Sequence, residues 1–424
     1  MAKFSELKSG NSDNKSSLKE KLLKAFPAFR HRDYQLYFFG QFISLIGTWL
    51  QMVAQGYLVY DLTHSALWVG ITFALNSIPV TLFVLFGGVI VDRFSKKKIL
   101  IFTQIASLIF ALILGFLTIL DIVTVLQICV FSFLLGTVTA IDMPARQAFM
   151  NDIVDRKELS SSIALNAGMF NMARVVGPLI AGILIGLIGE GGAFIVNSLS
   201  FIAPMITLFF MKSHIHKAIP HIHPLKAIKE GISYSVKHEI IRDLMIFAGL
   251  NALFGWSYIT ILPVVNDEVF HKGAYELSYL YASAGIGSVL GTIIVSSLSH
   301  KIRPSQFILG GLILFAVSLF AFSLTTNLYL ALVFLFFSGL GLVMHFSMMT
   351  STIQHTSPPQ ILGRVMSVYT FMFMGLSPLG SLQVGFIAEN LGSPMALRIS
   401  AVIMLIWAVF NFIRNKKLKD IEHF

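Results

Sequence analysis

The stretch GGVIVDRFSKKKIL, residues 87–100, places one acid and four bases between two long runs of uncharged, apolar residues. Each run is long enough to cross a bilayer, because about 20 residues at 1.5 Å each cover a hydrocarbon core about 30 Å thick. In lipid, a segment of that length satisfies its backbone hydrogen bonds internally as an α-helix. The stretch is therefore interpreted as a short polar link between two membrane-spanning helices.

The composition of the whole chain favours the same interpretation. Of its 424 residues, 55% are hydrophobic and only 12% are charged, and the mean hydropathy is +0.78. A soluble domain has about a quarter of its residues charged, so a large soluble fold is excluded. The single cysteine, Cys129, lies in an apolar run and offers no disulfide framework.

Runs of membrane length predict an all-α integral membrane protein with twelve spans in two bundles of six. The first bundle covers residues 34–211, with spans near 34–60, 67–91, 98–119, 122–145, 160–188 and 191–211. The second covers residues 240–413, with spans near 240–265, 276–299, 304–325, 327–354, 363–388 and 394–413. Polar tails at 1–33 and 414–424 and a linker at 212–239 complete the predicted organisation.

The basic residues predict the orientation of these spans. Of the 31 lysines and arginines, 28 lie in the tails and in the links on one side of the membrane. Because short cytoplasmic links are enriched in Lys and Arg, both termini are expected to be cytoplasmic. The net charge of +10 then follows from the topology, and binding to nucleic acid is not needed to explain it.

The linker is rich in His, Lys and Pro. Four of its histidines could be interpreted as a metal cluster, and the competing interpretation is a solvated connection that ends in a surface helix. We favour the solvated connection, with the helix beginning at Pro224 and an apolar side formed by Ile228, Ile232 and Val236. The four histidines are His214, His216, His221 and His223.

The two halves also contain an internal repeat at an offset near 200 residues. Gly177-Pro178-Leu179 in the fifth span is echoed by Ser377-Pro378-Leu379 in the eleventh, and the links after the fourth and tenth spans both carry Pro and Gln. Duplicated six-span halves are typical of secondary transporters, which bind their substrate near the membrane midplane where the halves meet.

The opening stretch resembles the signature loop of the major facilitator superfamily, Gly-x-x-x-Asp-Arg-x-Gly-Arg-Arg, which lies between spans two and three. Ser95 stands where that pattern has glycine. The resemblance continues through DMPARQAFMNDIVDRKELSSSIALNAGMFNMARVVGPLIAG and LGRVMSVYTFMFMGLSPLGSL. Together these stretches look like the branch that includes the bacterial enterobactin exporter and related drug-efflux proteins. The residues on the key positions of the loop are Gly88, Asp92, Arg93, Lys97 and Lys98.

The loop is expected to act as a conformational latch. Asp92 lies where it can meet the positive N-terminal end of a later helix, and Asp142 is the nearest acid by topology for Arg93. The resemblance implies that such a network holds one conformation of the transporter, with the start of the eleventh span as the partner of Asp92. The enrichment of Lys and Arg on the cytoplasmic side explains the lysines of the loop, but it does not explain Asp92. The predicted latch comprises Gly88, Asp92, Arg93, Lys97, Asp142, Gly363 and Arg364.

Small residues in the fifth span form a second motif. Gly177, Pro178 and Gly182 resemble the pattern that exporters of this superfamily carry in that span, which implies export rather than uptake. Tight packing of neighbouring helices is an alternative explanation, because small residues let helix backbones approach closely in membranes.

Polar residues within the spans predict a central cavity, since they are costly unless they face protein or water. Gln41, Ser44, Thr48, Gln51 and Gln55 form one stripe along the first span. Hydrogen bonding between helices could account for part of this stripe. The predicted substrate cavity comprises Gln51, Gln55, Asn76, Asn171, Arg174, Asn251, Trp256 and Tyr258.

Arg174 is the most informative of these residues. Its guanidinium stays protonated, yet no carboxylate lies in the middle of any span. Arg174 therefore lies near the cytoplasmic mouth or meets an anionic substrate, and the sequence leaves both possibilities open.

Energy coupling has few candidate groups. His345 within the tenth span, and Asp61, Asp142 and Glu389 near span ends, are the titratable residues that could carry a proton. The fourth span lacks the arginine that the superfamily pattern often has there. No phosphate-binding loop of the Gly-x-x-x-x-Gly-Lys-Ser/Thr type occurs, which disfavours direct use of ATP.

These features predict a monomeric transporter that exports an amphiphilic or aromatic small molecule, such as a siderophore or a drug, from the bacterial inner membrane. The expected partners are that substrate, a proton or other coupling ion, and membrane lipid, without a cofactor, a metal or nucleic acid. Flipping of lysophospholipids is the alternative transport function. A membrane enzyme is disfavoured because the sequence contains no convergent catalytic set.

Overall fold

The structure is a computed structural model that describes residues 26–211 and 224–414. Within these ranges it leaves out the side chains of 84, 85, 89, 92, 156, 160, 224–228, 412 and 414. The described chain is almost entirely helical, as expected. Spans one to four are Arg32–Thr63, Ala66–Arg93, Lys96–Ile119 and Val125–Ile153.

Spans five and six share a continuous helical segment. The helices Leu159–Ser200 and Ile202–Phe210 together include a 50-residue apolar stretch, Ser161–Phe210. At 1.5 Å per residue this stretch is about 75 Å long, more than twice the thickness of a bilayer core. Gly189, with φ 71° and ψ 177°, divides it into two spans. The left-handed φ is one that glycine adopts without steric cost.

The second half has one irregular span and five regular ones. Span seven passes from the α-helix Glu239–Leu250 through a π-helical turn, Asn251–Gly255, and a 3-10 turn, Ser257–Ile259, to the helix Leu262–Glu268. Eleven helical segments of the described chain are long and apolar enough to cross a membrane, and the break at Gly189 makes them twelve spans. Spans eight to twelve are Ala274–Leu298, Pro304–Phe322, Leu328–Thr356, Leu362–Leu391 and Ser393–Arg414.

The fourth span is longer than the apolar run predicted. The helix carries Asp142 and Arg146 near the predicted end at 145 and continues eight residues beyond that end, to Ile153. Hydropathy marks the end of a span where charges appear, but these two charges lie one turn apart and form an ion pair. The helix therefore projects beyond the apolar layer without leaving either charge unpaired.

The structure describes parts of the segments that flank the spans. The predicted surface helix is present as Pro224–Lys237, and Ile232 and Val236 are exposed on it. A short 3-10 turn, Pro27–Arg30, precedes span one. The histidine-rich part of the linker, with His214, His216, His221 and His223, lies outside the described residues.

Equivalent helix pairs pack closely in the two halves. A methyl group on Gly136 of span four would strike the backbone of Asn76 in span two, and one on Gly339 of span ten would strike that of Ala284 in span eight. Spans two and four thus correspond to spans eight and ten, two positions apart in each half. This correspondence favours the predicted repeat.

Candidate functional site

The two halves are in close contact at the ends of the spans that carry Ser65 and Glu389, which we call the closed end. A methyl group on Gly70 of span two would lie 2.6 Å from the carbonyl oxygen of Ser381 in span eleven and 3.2 Å from Gly385. Glycine is therefore needed for this approach. The contact between spans two and eleven is called the seam.

Polar groups reinforce the seam. The carboxylate of Glu389 accepts hydrogen bonds from the Ser65 hydroxyl at 3.0 Å and from the Leu67 backbone N–H at 3.2 Å. Ser65 is also the N-cap of span two, accepting from the Trp68 N–H at 3.3 Å. An acid from one half thus sits at the positive N-terminal end of a helix from the other half, which stabilises their contact.

A second contact between the halves joins spans five and eight. A methyl group on Gly182 would strike the Ser278 hydroxyl, and one on Gly285 would lie 2.9 Å from the Val175 side chain. Gly177 faces its own half, where a methyl group would lie 2.5 Å from the Cβ of Trp49. The small residues of span five therefore pack it against spans one and eight. Pro178 lies inside the same helix, but the residue with non-helical backbone angles in that helix is Gly189.

The opposite ends of the same spans are apart, and we call them the open end. A methyl group on Gly88 of span two, Gly168 of span five or Gly363 of span eleven would meet no atom of the described residues within 4 Å. A further contact between the halves lies between the two ends, where the Thr81 hydroxyl donates to the Met374 carbonyl at 3.1 Å. We interpret the unequal contacts at the two ends as an opening between the bundles that leads from the open end toward the centre.

The predicted latch residues at the open end are not assembled in this conformation. Arg93 is exposed, and the ion pair of Asp142 is formed with Arg146 of its own helix. Arg364 pairs with Glu230 of the surface helix. The side chain of Asp92 lies outside the described residues. The latch therefore stays a prediction for a conformation in which the open end has closed.

Two lysines of the opening stretch do more than retain positive charge on one side. Lys96 pairs with Asp152 of span four at 2.7 Å. Lys97 donates to the carbonyl oxygen of Met211, at the C-terminal end of span six, at 2.8 Å. A cation at a helix C-terminus is favourable because the exposed carbonyls carry partial negative charge. The opening stretch thus ties span three to spans four and six.

Most of the polar stripe of span one is used within the first bundle. Gln55 donates to the Ser132 hydroxyl at 3.0 Å, and Gln51 accepts from Asn197. Asn76 of span two donates to the Ser132 carbonyl at 3.3 Å. The alternative of hydrogen bonding between helices accounts for these residues here, and their contact with substrate stays a prediction.

A cluster of one arginine and aromatic rings lies where the halves meet at the inner limit of the opening. The guanidinium carbon of Arg174 is 4.5 Å from the ring centre of Trp256 in span seven and 5.9 Å from that of Trp49 in span one. Tyr258 lies beside Arg174. These four residues, the arginine cluster, join both halves. Arg174 is therefore not at the mouth.

Other predicted site residues take separate positions. Asn171 lies one turn from Arg174 toward the open end and is partly exposed, with its amide donating to the Ala167 carbonyl at 3.0 Å. Asn251, in the π-helical turn of span seven, is buried, and its side-chain amide has no hydrogen-bond partner among the described residues. The π-helical turn of span seven thus contains the predicted cavity residue Asn251, and the 3-10 turn contains another, Tyr258.

His345 lies inside the second bundle, away from the opening. It is 0% exposed, its Nδ1 is 2.6 Å from the Ile308 carbonyl oxygen, and its ring packs against Phe247 at 5.3 Å. A role in proton coupling stays a prediction.

Sequence reasoning missed the seam. Gly70 and Gly385 are ordinary glycines in apolar runs, and the sequence gives no sign that they face each other across the two halves. Glu389 attracted notice only as a titratable group. Its position three residues before the glycine that ends span eleven, Gly392, was the one available sign of a helix-end contact.

Comparisons with known proteins cover nearly the whole chain. A sequence model of the family described as transmembrane secretion effector matches residues 23–423. The chain is 26% identical over 391 residues to the staphyloferrin A transporter of Staphylococcus aureus, covering 90% of this chain and 96% of that protein. It is 23% identical over 349 residues to the enterobactin exporter EntS of Escherichia coli, covering 82% of each.

Solved structures share the fold. A bacterial homolog of the human lysosomal transporter Spinster, in an inward-facing and unoccupied conformation, superposes with a TM-score of 0.75 at 14% identity, covering 90% of this chain and 96% of the other. A POT family transporter in complex with a thioalcohol-conjugated peptide superposes with a TM-score of 0.74 at 10% identity, covering 92% and 97%. The arrangement of twelve spans is thus one that known transporters adopt.

Proposed function

The chain belongs to the transmembrane secretion effector family of the major facilitator superfamily, and on that premise we propose that it exports an amphiphilic or aromatic small molecule of the siderophore or drug class. Membership makes it a multi-pass transporter of the bacterial inner membrane and not an enzyme. Export, the substrate class and coupling to protons belong to the proposal.

The observation that carries the proposal is the unequal contact between the halves. They are sealed by Gly70, Gly385 and Glu389 at one end and separated around Gly88 and Gly363 at the other. Alternating access requires the halves to exchange these contacts, so that a central site opens first to one side and then to the other. The open end faces the cytoplasm, because nearly all the basic residues lie on that side.

Two further observations support export of a siderophore-like compound. One similar protein is named as an enterobactin exporter and another as a staphyloferrin A transporter. The arginine cluster supplies aromatic faces and a cation at the inner limit of the opening, which suits an aromatic or acidic cargo. The cytoplasm-facing opening is the conformation in which an exporter loads its substrate.

Everted membrane vesicles with and without the protein test this function. With respiration active, vesicles that contain the protein are expected to accumulate enterobactin, staphyloferrin A or ethidium above control vesicles, because export from the cell is inward in an everted vesicle. A protonophore is expected to abolish the accumulation if protons drive it. Accumulation in right-side-out vesicles instead, or none of any compound in either orientation, would refute the proposed export.

Asp92→Asn is expected to reduce transport strongly while leaving the amount of protein in the membrane unchanged. In the closed form of the cytoplasmic end, the neutral side chain would lose its attraction to the positive N-terminus of the partner helix. Lys98→Gln, in the same loop, is the control and is expected to transport nearly as well as the wild type. Unchanged transport by Asp92→Asn would remove the latch from the mechanism.

A further inference from the structure

Arg174 occupies an unusual position for a charged residue. It lies in span five, is only 3% exposed, and reaches across to Trp256 of the other half. Its Nη2 group has no hydrogen-bond partner among the described residues. The guanidinium cannot lose its proton, so a full positive charge lies at the centre of the protein.

The two tryptophans stabilise this charge only in part. A cation is attracted to the negative face of an aromatic ring, and Trp256 and Trp49 supply such faces at 4.5 and 5.9 Å. The N–H groups of a guanidinium point outward in the plane of the group. A ring that lies over this plane does not accept hydrogen bonds from them, whereas a carboxylate in the plane does. A buried donor without an acceptor is costly.

A second buried donor without an acceptor, the Tyr258 hydroxyl, lies beside Arg174. Tyr258 is 0% exposed, and its hydroxyl has no hydrogen-bond partner among the described residues. The described residues form no ion pair with Arg174. The Arg174 guanidinium and the Tyr258 hydroxyl interact with each other across the boundary between the halves, but no described carboxylate pairs with either of them, and the Arg174 Nη2 and the Tyr258 O–H lack an acceptor.

We propose that Arg174 and Tyr258 form the subsite for an anionic group of the transported substrate, such as a carboxylate. This inference rests on the proposed function and adds the charge of its substrate. The anion accepts in-plane hydrogen bonds from the guanidinium and one from the Tyr258 hydroxyl. Trp256 and Trp49 cover the guanidinium faces and hold it in position. A planar oxyanion matches the fork of N–H donors in Arg better than a neutral amide does.

The position of the subsite also gives binding a mechanical consequence. Phe170 is exposed and Asn171 is partly exposed, one helical turn from Arg174 on the same span. Phe170 packs edge-on against Trp49, with ring centres 5.6 Å apart. An anionic group bound by Arg174 and Tyr258 contacts residues of both halves at once.

Binding of benzoate and of benzamide to the purified full-length protein in lipid nanodiscs tests the subsite. The two probes have the same ring and differ in an anionic or neutral head. Trp49 and Trp256 report binding through their fluorescence. The wild type is expected to bind benzoate more tightly than benzamide by about tenfold or more, because a hydrogen bond between two charged groups is stronger than one between neutral groups.

Three variants test whether Arg174 produces the preference for benzoate over benzamide. Arg174→Gln is expected to lose the preference for benzoate. Arg174→Lys is expected to retain a reduced preference, because Lys keeps the positive charge but lacks the planar set of N–H donors. Arg398→Gln is the matched control, since Arg398 is another arginine of a span but donates to the Ser323 carbonyl at 3.1 Å. It is expected to keep the full preference. Monodispersity on size exclusion shows that each variant is folded.

Equal binding of the two probes by the wild type, or binding of neither, would overturn the subsite whatever the variants do. A preference that survives in Arg174→Gln would overturn it as well. Failure of the subsite and failure of export are separable. Benzoate preference without accumulation in everted vesicles contradicts export alone, and accumulation that Arg174→Gln leaves unchanged contradicts the subsite alone.

Discussion

Gly70→Leu is expected to reduce transport by about tenfold or more, because the seam can no longer close. Even a methyl group at this position would lie 2.6 Å from the backbone oxygen of Ser381, and spans two and eleven must separate to make room. Overpacking of this kind costs about 1–3 kcal/mol. A bias of that size changes the ratio of two conformations by roughly 5- to 150-fold, here away from the cytoplasm-open form.

Labelling of a cysteine in the opening measures this shift directly. In a Cys129→Ala background, Ala167→Cys places a thiol on an exposed position of span five that faces the open end. A membrane-impermeant maleimide is expected to label it readily in everted vesicles, and more slowly once Gly70→Leu is added. Gly310→Leu is the matched control, because Gly310 is exposed on span nine with no atom near its Cβ position. Normal transport and labelling with Gly70→Leu would show that the seam does not gate the cycle.

Asp142→Ala is expected to cause the largest loss of stability among the charged residues of the first bundle. The carboxylate is 7% exposed, pairs with Arg146, and accepts from the Thr103 hydroxyl at 2.6 Å and from Gln104 at 3.0 Å. Removal of the carboxylate leaves the buried Gln104 amide and the partly exposed Arg146, 21% of whose side chain is accessible, without their acceptor. A buried donor left without an acceptor costs about 1–3 kcal/mol. The expected result is a fall of several degrees in the melting temperature of the protein in detergent.

Asp152→Ala provides the comparison for this measurement. Asp152 lies on the same helix and also pairs with a base, Lys96 at 2.7 Å, but 28% of its side chain is exposed. A pair that water reaches contributes about 0–1 kcal/mol, so this variant is expected to melt close to the wild type. Equal melting temperatures for the two alanine variants would contradict the buried network. Arg93→Ala is also expected to melt normally, because Arg93 is exposed in this conformation.

The spans themselves were predictable, and their exact ends were not. Hydropathy located all twelve, because lipid permits only uninterrupted helices of a narrow range of lengths. It ended span four near residue 145, whereas the structure continues to Ile153. The difference arises because hydropathy treats each charge as isolated, whereas the ion pair with Arg146 lets the helix continue.

The polar residues of the spans were also predictable only in part. Their presence on one stripe of span one was visible in the sequence, and so was the isolation of Arg174 from acids. Whether a glutamine faces another helix or a cavity depends on the neighbour, and Gln51 and Gln55 face spans six and four. The cross-half neighbours of Arg174 and Gly70 could not be predicted, because no spacing along the chain encodes them.

By itself, the sequence determined the helical membrane fold, the number of spans and the absence of acids from the middle of the spans, and it predicted the orientation of the spans and the division of the chain by a polar linker. These follow from the cost of placing polar groups in lipid, which acts on each segment alone. Only the tertiary structure decided which end of the bundles is sealed, that Glu389 caps a helix of the other half, and that Trp256 covers Arg174. Those contacts join residues far apart in the chain, and they exist only once twelve helices have packed in one particular arrangement.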